Sequence, residues 1–416
     1  MQHWKRNLYI LWLGLFINHM AYTLSVPFFP LFLHQDLGLT SGLEAWAGVS
    51  ISISFLISGL CAPFWGSLAD KYGSKPMLVR SGVGLAAAHL ANYFVYDLFT
   101  FILVRIFQGL MAGFSPASVT LVGTNTPDKH VGYALGVIST STAAGGIIGP
   151  LAGGILSQWV GLRGCFIASG VITLISAVIV LGVKEVREKR SGARPSVLQD
   201  LKRAAATPRL LRIYGLILVV SVSVLVLEPL LTIFVVQLGA DESNAMLSAG
   251  IVFSAVGVAT VLTGSRWGRI GGKIGYGKTL IIGLIGGGLG NLLQAVVSHL
   301  AGFAMLRFGY GLFFAAVYPA LNALIVQHAD ADFRGRAVSL SQTASQLGIV
   351  IGPLLGGFLG GWIGIPLVFL LTGIALLGSA WYVQASGFDR PQIARARQEN
   401  RETLSNIVKN DSSGPS

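Results

Sequence analysis

A chain of 416 residues with only 11% charged and 53% hydrophobic residues is no ordinary soluble domain, where about a quarter of residues carry charge. Its formal net charge of +12 would suit nucleic acid or a membrane surface, and the placement of those charges, given below, speaks for the membrane. Two cysteines, Cys61 and Cys165, both inside apolar stretches, offer neither a disulfide framework nor a metal site of the usual spacing.

Crossing a hydrocarbon core of roughly 30 Å takes about 20 residues of helix. Apolar runs of that length predict spans over 8–33, 45–67, 77–96, 98–122, 132–157, 163–183, 211–237, 245–265, 279–298, 301–326, 337–360 and 363–385. The first follows Lys5 and Arg6 as a signal peptide would, but it is too long and no small-residue cleavage site closes it, so a retained span is expected. The reading is an all-α membrane protein of twelve transmembrane helices. Its expected parts are an N-terminal six-helix bundle over 1–185, a cytoplasmic linker over 186–210, a C-terminal six-helix bundle over 211–386 and a disordered cytoplasmic tail over 387–416. In the linker, Ser196 and Gln199 resemble a capping box opening a short helix at headgroup level.

With the N-terminus inside, the inner loops and tails collect every one of the 29 basic residues except Arg105, Arg163 and Arg307. That asymmetry satisfies the positive-inside rule, places both termini in the cytoplasm and accounts for the net charge without nucleic acid.

The chain also repeats itself. Pro27, Gly66, Lys71, Gly73, Arg105 and Gly109 recur 202 positions later as Pro229, Gly268, Lys273, Gly275, Arg307 and Gly311. From the fifth span the offset is 203, carrying Gly145, Gly149, Pro150, Gly153 and Gly154 to Gly348, Gly352, Pro353, Gly356 and Gly357. A constant register across five spans means two copies of one six-helix bundle.

Between spans two and three stands "GSLADKYGSKPML", with Gly66, Leu68, Asp70, Lys71, Gly73 and Lys75 in the places of a loop signature that resembles the major facilitator superfamily of secondary transporters; Ser74 departs from its usual basic residue. In span four, "RIFQG" from Arg105 followed by Ala112 resembles that family's buried-arginine motif. In span five, "GGIIGPLAGG" resembles its antiporter motif, here Gly145, Gly149, Pro150, Gly153 and Gly154, which marks drug exporters. The resemblance implies a rocking-bundle transporter. In it the Gly66, Asp70, Lys71, Gly73 and Lys75 loop acts as a conformational latch, with Asp70 against the N-terminus of span eleven, an end where anions are favoured. The second copy has Gly272 in the place of Asp70, so the latch is expected to be lopsided. The glycines also serve close helix packing, and span five is expected to lie against the opposite half. Gly-rich stretches such as "GLIGGGLG" lie inside spans with no preceding strand and are not dinucleotide loops.

Chemistry in such a chain rests on charges inside the membrane. Asp36, Glu44, Asp97, Asp241 and Glu242 fall at outer edges, and Asp70, Asp128, Asp330 and Asp332 in inner loops. Glu228, in "VLVLEPLLTIF", is the acid deep in a span, beside helix-breaking Pro229; the deep cations are Arg105 and Arg307. Glu228 either forms a static ion pair with one of these arginines or, with Arg105 beside it, couples protons to substrate, since desolvation favours the neutral acid and an arriving cation the carboxylate. Tyr22, Phe28, Phe29, Phe32, Phe313, Phe314 and Tyr318 are expected to wall the cavity and suit a lipophilic cation, although aromatic side chains in spans also serve as plain packing. His19 and Asp36 are left open as further proton-handling groups, and His89 as a packed core residue.

The function expected is proton-coupled export of small lipophilic compounds by a twelve-span drug:proton antiporter, with a sugar or metabolite exporter of the same fold as the alternative. The expectation includes no metal and no cofactor beyond the proton, no nucleic acid partner, a functional monomer in the plasma membrane, and no enzymatic activity, for lack of an intramembrane nucleophile or acid pair.

Overall fold

The computed structural model describes residues 3–185, 203, 206–241, 244–330 and 333–387. The proposed linker helix at Ser196 and Gln199 and the tail beyond 387 lie outside the described residues. Among the described residues every regular element is helical, as the sequence leads one to expect.

Span one runs as an α-helix over His3–Ser25, tightens over Val26–Phe28, and continues through Phe29–Leu31 into a wider turn at Phe32–Asp36. Pro27 and Pro30 each remove an amide donor, which is why the helix changes pitch there. Leu43–Tyr72 and Ser74–Tyr93 are spans two and three. Span four is broken between Leu98–Met111 and Phe114–Asn125. Spans five and six share one run, Asp128–Ile179, folded back at Gly161. Span seven is broken between Pro208–Leu225 and Glu228–Gln237, and span ten between Leu300–Phe314 and Val317–His328. Ala245–Ile274, Tyr276–Gln294, Arg334–Ile363 and Ile365–Ala385 are spans eight, nine, eleven and twelve.

Among the described residues nine segments are long and apolar enough to cross a membrane, and one of them, Lys129–Gly182, is 54 residues long. At about 1.5 Å per residue that is far more than one bilayer thickness, so it supplies two crossings. Spans three and nine complete the twelve. They fall short on apolarity because they are built from glycine, alanine and buried amides: Asn92 and Asn291 are wholly covered, and the Asn291 amide donates to Thr372 Oγ1 of span twelve at 3.1 Å.

The duplication extends to the backbone. Gly73 and its counterpart Gly275 turn spans two to three and eight to nine with φ of 100° and 97°, and Gly161 and Gly364 do the same for spans five to six and eleven to twelve with φ of 70° and 85°. These are backbone conformations that only glycine adopts cheaply. The breaks in spans four and ten match as well. There Trp65 Nε1 donates to Leu110 O at 2.9 Å, and Trp267 Nε1 donates to Leu312 O at 2.6 Å, each satisfying a carbonyl that the broken helix leaves free.

The halves meet through spans two, five, eight and eleven, whose glycines let backbones touch, and through spans one and seven beyond their breaks. Gly48 lies on the Pro353 carbonyl and Gly250 on the Pro150 carbonyl, leaving no room for a β-carbon at either position. Thr232 Oγ1 donates to Pro27 O at 2.5 Å, Ser254 Oγ to Ile147 O at 2.6 Å, and Gln158 Nε2 to Asn244 Oδ1 at 3.0 Å. These contacts run from mid-span to the ends remote from the chain's N-terminus. Toward the opposite ends, a β-carbon on Gly59, Gly66, Gly264 or Gly268 would meet nothing within 4 Å.

Candidate functional site

Glu228 opens the second arm of span seven because Pro229, with no amide hydrogen, tolerates only a helix's first turn. Its half-buried carboxylate makes no hydrogen bond and no ion pair among the described residues. The anticipated pair with Arg105 or Arg307 is therefore not formed.

Arg105 is 1% exposed, with its guanidinium 4.5 Å from the Phe29 ring and 5.3 Å from Phe101, and its Nε and Nη2 are without acceptors. The Tyr22 phenol is in electrostatic reach of both Glu228 and Arg105. Tyr22 lies edge-on to Phe55 at 6.2 Å and faces the His19 ring at the same distance.

The aromatic side chains part company. Phe28 is buried with Leu24, Leu31 and Leu227, while Phe29 and Phe32 pack with Phe101 and Phe166 in the interior of the first half. The change of pitch at Pro27 turns all three inward. Phe313 is 43% exposed and leans over Gly286 of span nine. Phe314 and Tyr318, of the seven anticipated, line the two cavities described next.

Two such spaces are lined by residues of the second half. One, about 380 Å³, is bounded by spans seven, ten and eleven and is lined by Ser221, Asn322, Ser341, Gln342 and Ser345 among aliphatic residues. The other, about 360 Å³, is bounded by spans seven, eight and ten and contains Arg307, Tyr310, Phe314, Thr260 and Leu227. Val224 and Tyr318 belong to both walls, and the Tyr318 hydroxyl is 3.4 Å from Ser221 Oγ.

In the loop signature, Gly73 makes the turn, Asp70 is exposed in the last turn of span two, and Lys71 Nζ lies 5.1 Å from the Tyr72 ring. The N-terminus of span three is capped from an unanticipated quarter: Ser74 and Lys75 amides donate to the two Glu185 oxygens at 2.7 and 3.1 Å, and Lys75 Nζ donates to Leu181 O at 2.7 Å. An acid beside Lys184 at the close of span six was the available signal.

Span five uses its glycines unequally. Gly145, Gly149 and Gly153 rest on span one of the same half, at Met20, Thr23 and Leu24, whereas Gly154 meets Met246 and Leu247 of span eight. The opposite half is thus touched through Gly154 and the Pro150 carbonyl, and most of the motif holds spans one and five together.

Asp36 is engaged. It accepts from Arg163 Nε at 2.7 Å, and Arg163 also donates to the Tyr93 and Val95 carbonyls. His89 is 2% exposed with Nδ1 unbonded, and His19 lies beside Gly145 and Gly146. No cluster of three or more metal-ligating side chains occurs among the described residues.

The comparisons agree with this fold. A multidrug resistance protein MdtG of Salmonella arizonae is 35% identical over 384 residues, covering 91% of this chain and 95% of that one, and its namesake from Escherichia coli O1:K1 is 34% identical over 91% and 94%. Among solved structures, a bacterial homologue of the human lysosomal transporter Spinster, inward-facing and unoccupied, superposes with a TM-score of 0.76 at 15% identity over 94% of this chain and 98% of its own. The nucleoside transporter NupG gives 0.75 at 12% identity over 91% and 99%, and at such identities the likeness concerns the fold. The family model described as Major Facilitator Superfamily matches residues 11–265 and 217–412, so that nearly the whole chain, in both of its halves, belongs to that superfamily.

Proposed function

We propose that the chain exports small lipophilic compounds, cations foremost, in exchange for protons, by rocking one six-helix half against the other. The observation that carries the reading is Glu228: an acid at the break of span seven, unpaired among the described residues and in reach of Tyr22. A carboxyl group in that setting takes up a proton or a cation, not both, which is the requirement of exchange. The multidrug resistance names of its relatives support the same class of cargo. With both termini cytoplasmic, as the basic residues argue, the sealed ends of the halves are the outer ones and the separated ends face the cytoplasm. The Gly66 to Lys75 loop then serves as the latch of the opposite conformer. A plasma-membrane setting, a single working chain and the proton as the one coupling species complete the proposal; transport involves no covalent change, and no enzymatic role is assigned.

The test is ethidium movement in proteoliposomes holding the purified chain under an imposed pH gradient. The parent is expected to concentrate the dye and Glu228→Gln to do no more than equilibrate it. Uphill transport by Glu228→Gln overturns the assignment of Glu228. The hydroxyl- and amide-lined 380 Å³ cavity favours a sugar exporter as second reading, and gradient-driven movement of labelled hexoses without dye transport would establish it instead.

A further inference from the structure

Arg307 is the counterpart of Arg105, yet its surroundings are opened rather than closed. Arg105 packs against the neighbouring Phe29 and Phe101 rings and lines neither cavity. Arg307 is 8% exposed and lines the 360 Å³ cavity. Its Nε is buried without an acceptor, and no carboxylate or carbonyl among the described residues receives a hydrogen bond from it. Its one neighbour of note is the Tyr310 ring, 5.3 Å from the guanidinium, which stabilises a cation without consuming its donors.

A buried guanidinium with spare donors is costly unless something anionic answers it. The volume falls within the roughly 300–1,000 Å³ of small-molecule sites. Its walls separate by chemistry: Arg307, Thr260 and the phenols of Tyr310 and Tyr318 are polar, while Val224, Leu227, Val256 and Phe314 are apolar. Guanidinium forks match carboxylate, sulfonate and phosphonate oxygens two at a time.

We propose that this cavity is a binding site for amphipathic organic anions, with the acid group on Arg307 and the apolar body against Val224, Leu227 and Phe314. The site rests on the transporter reading but goes beyond its cationic cargo, since it gives the second half a subsite of opposite preference to Glu228. An anion seated there neutralises Arg307 during the cycle, and a zwitterion would address both groups.

The test uses the full chain in lipid nanodiscs and two labelled probes of nearly equal shape, naphthalenesulfonate and the uncharged naphthalenesulfonamide, measured by scintillation proximity at pH 7. Arg307→Gln is expected to weaken the sulfonate by at least about tenfold and to leave the sulfonamide within about twofold, with Arg307→Lys intermediate. Equal binding of the sulfonate by parent and Arg307→Gln, or equal loss of both probes, overturns the site. If the Arg307 variants do not fold, Gly264→Leu replaces them. A β-carbon at Gly264 meets nothing within 4 Å, so the added side chain fills the cavity with Arg307 in place. It should weaken both probes, and unchanged binding of both removes the cavity from consideration. Dye transport separates this proposal from the one before it. A parent that binds sulfonate through Arg307 but moves no dye refutes the exporter reading alone. A parent that moves dye but binds sulfonate independently of Arg307 refutes the site alone.

Discussion

Arg105 and Arg307 occupy equivalent positions in two copies of one bundle, and what surrounds each decides its use. Arg105 has two adjoining aromatic rings beside it and two unbonded nitrogens, so its charge is held at a desolvation cost that packing offsets only in part. Replacing a buried ion by an apolar group of similar length is commonly neutral or stabilising by about 1–4 kcal/mol. Arg105→Met is therefore expected to melt no lower than the parent while dye exchange falls by about tenfold or more, and Arg105→Lys to regain only part of it. Thermal unfolding beside transport decides the matter: a lower melting point with transport intact would make Arg105 scaffold alone. The exceptional charges were legible in the sequence, because an acid or arginine inside twenty apolar residues is conspicuous. Which aromatic side chains wall a cavity was not, since apolar runs buried all round carry no periodicity that tells a lining face from a packed one. Phe28, Phe29 and Phe32 are packed into the interior, and which neighbours they meet there is a property of the tertiary structure. Glu185 escaped notice for a related reason, as its partners lie 110 residues and more away.

At the scale of elements, breaks and turns come in pairs. Pro229, Gly73 and Gly275 announced some of them, the breaks in spans four and ten and the turns at Gly161 and Gly364 came without such notice, and the offset between copies was plain before any coordinates. What the sequence did not announce is that adjacent glycines in span five face different neighbours. Gly153 abuts the Leu24 carbonyl of its own half and Gly154 the backbone at Leu247 of the other. Gly153→Val should thus disturb the pairing of spans one and five and lower stability by about 1–3 kcal/mol. Gly154→Val should leave each half sound and force the sealed ends apart. Spin labels at Gln158→Cys and Asn244→Cys, which flank the 3.0 Å hydrogen bond across that seal, provide the measurement. A longer label distance in Gly154→Val and an unchanged one in Gly153→Val is the expected pattern; the reverse would mean that the motif acts as a single unit.

The molecule as a whole is a two-fold repeat with unequal chemistry, one deep acid among the described spans and two deep arginines. One acid implies one proton per cycle. A monovalent cation then leaves as one proton enters, no net charge moves, and the driving force is the pH gradient, about 1.4 kcal/mol or tenfold accumulation per unit. Membrane potential, which acts on net charge at about 2.3 kcal/mol per 100 mV, should leave that exchange unaffected. Dissipating each component in turn with nigericin or valinomycin in proteoliposomes checks this. Dye accumulation driven by potential alone would require a second coupling group, with His19 the first to examine, since Asp36 is tied to Arg163.

The divergence of the two arginines has a consequence for how such a protein can change over generations. Duplication delivered two identical arginines; one packs against Phe29 and Phe101, and the other borders the 360 Å³ cavity. Substitutions around the first must respect Phe29 and Phe101, whereas around the second Thr260, Tyr318 and Pro319 are exposed on the cavity wall and can change without disturbing the core that Leu227 and Phe314 join. Under changing chemical challenge, adaptive replacements should therefore gather in the C-terminal copy, so that the spectrum of exported compounds drifts while the inherited proton machinery stands still.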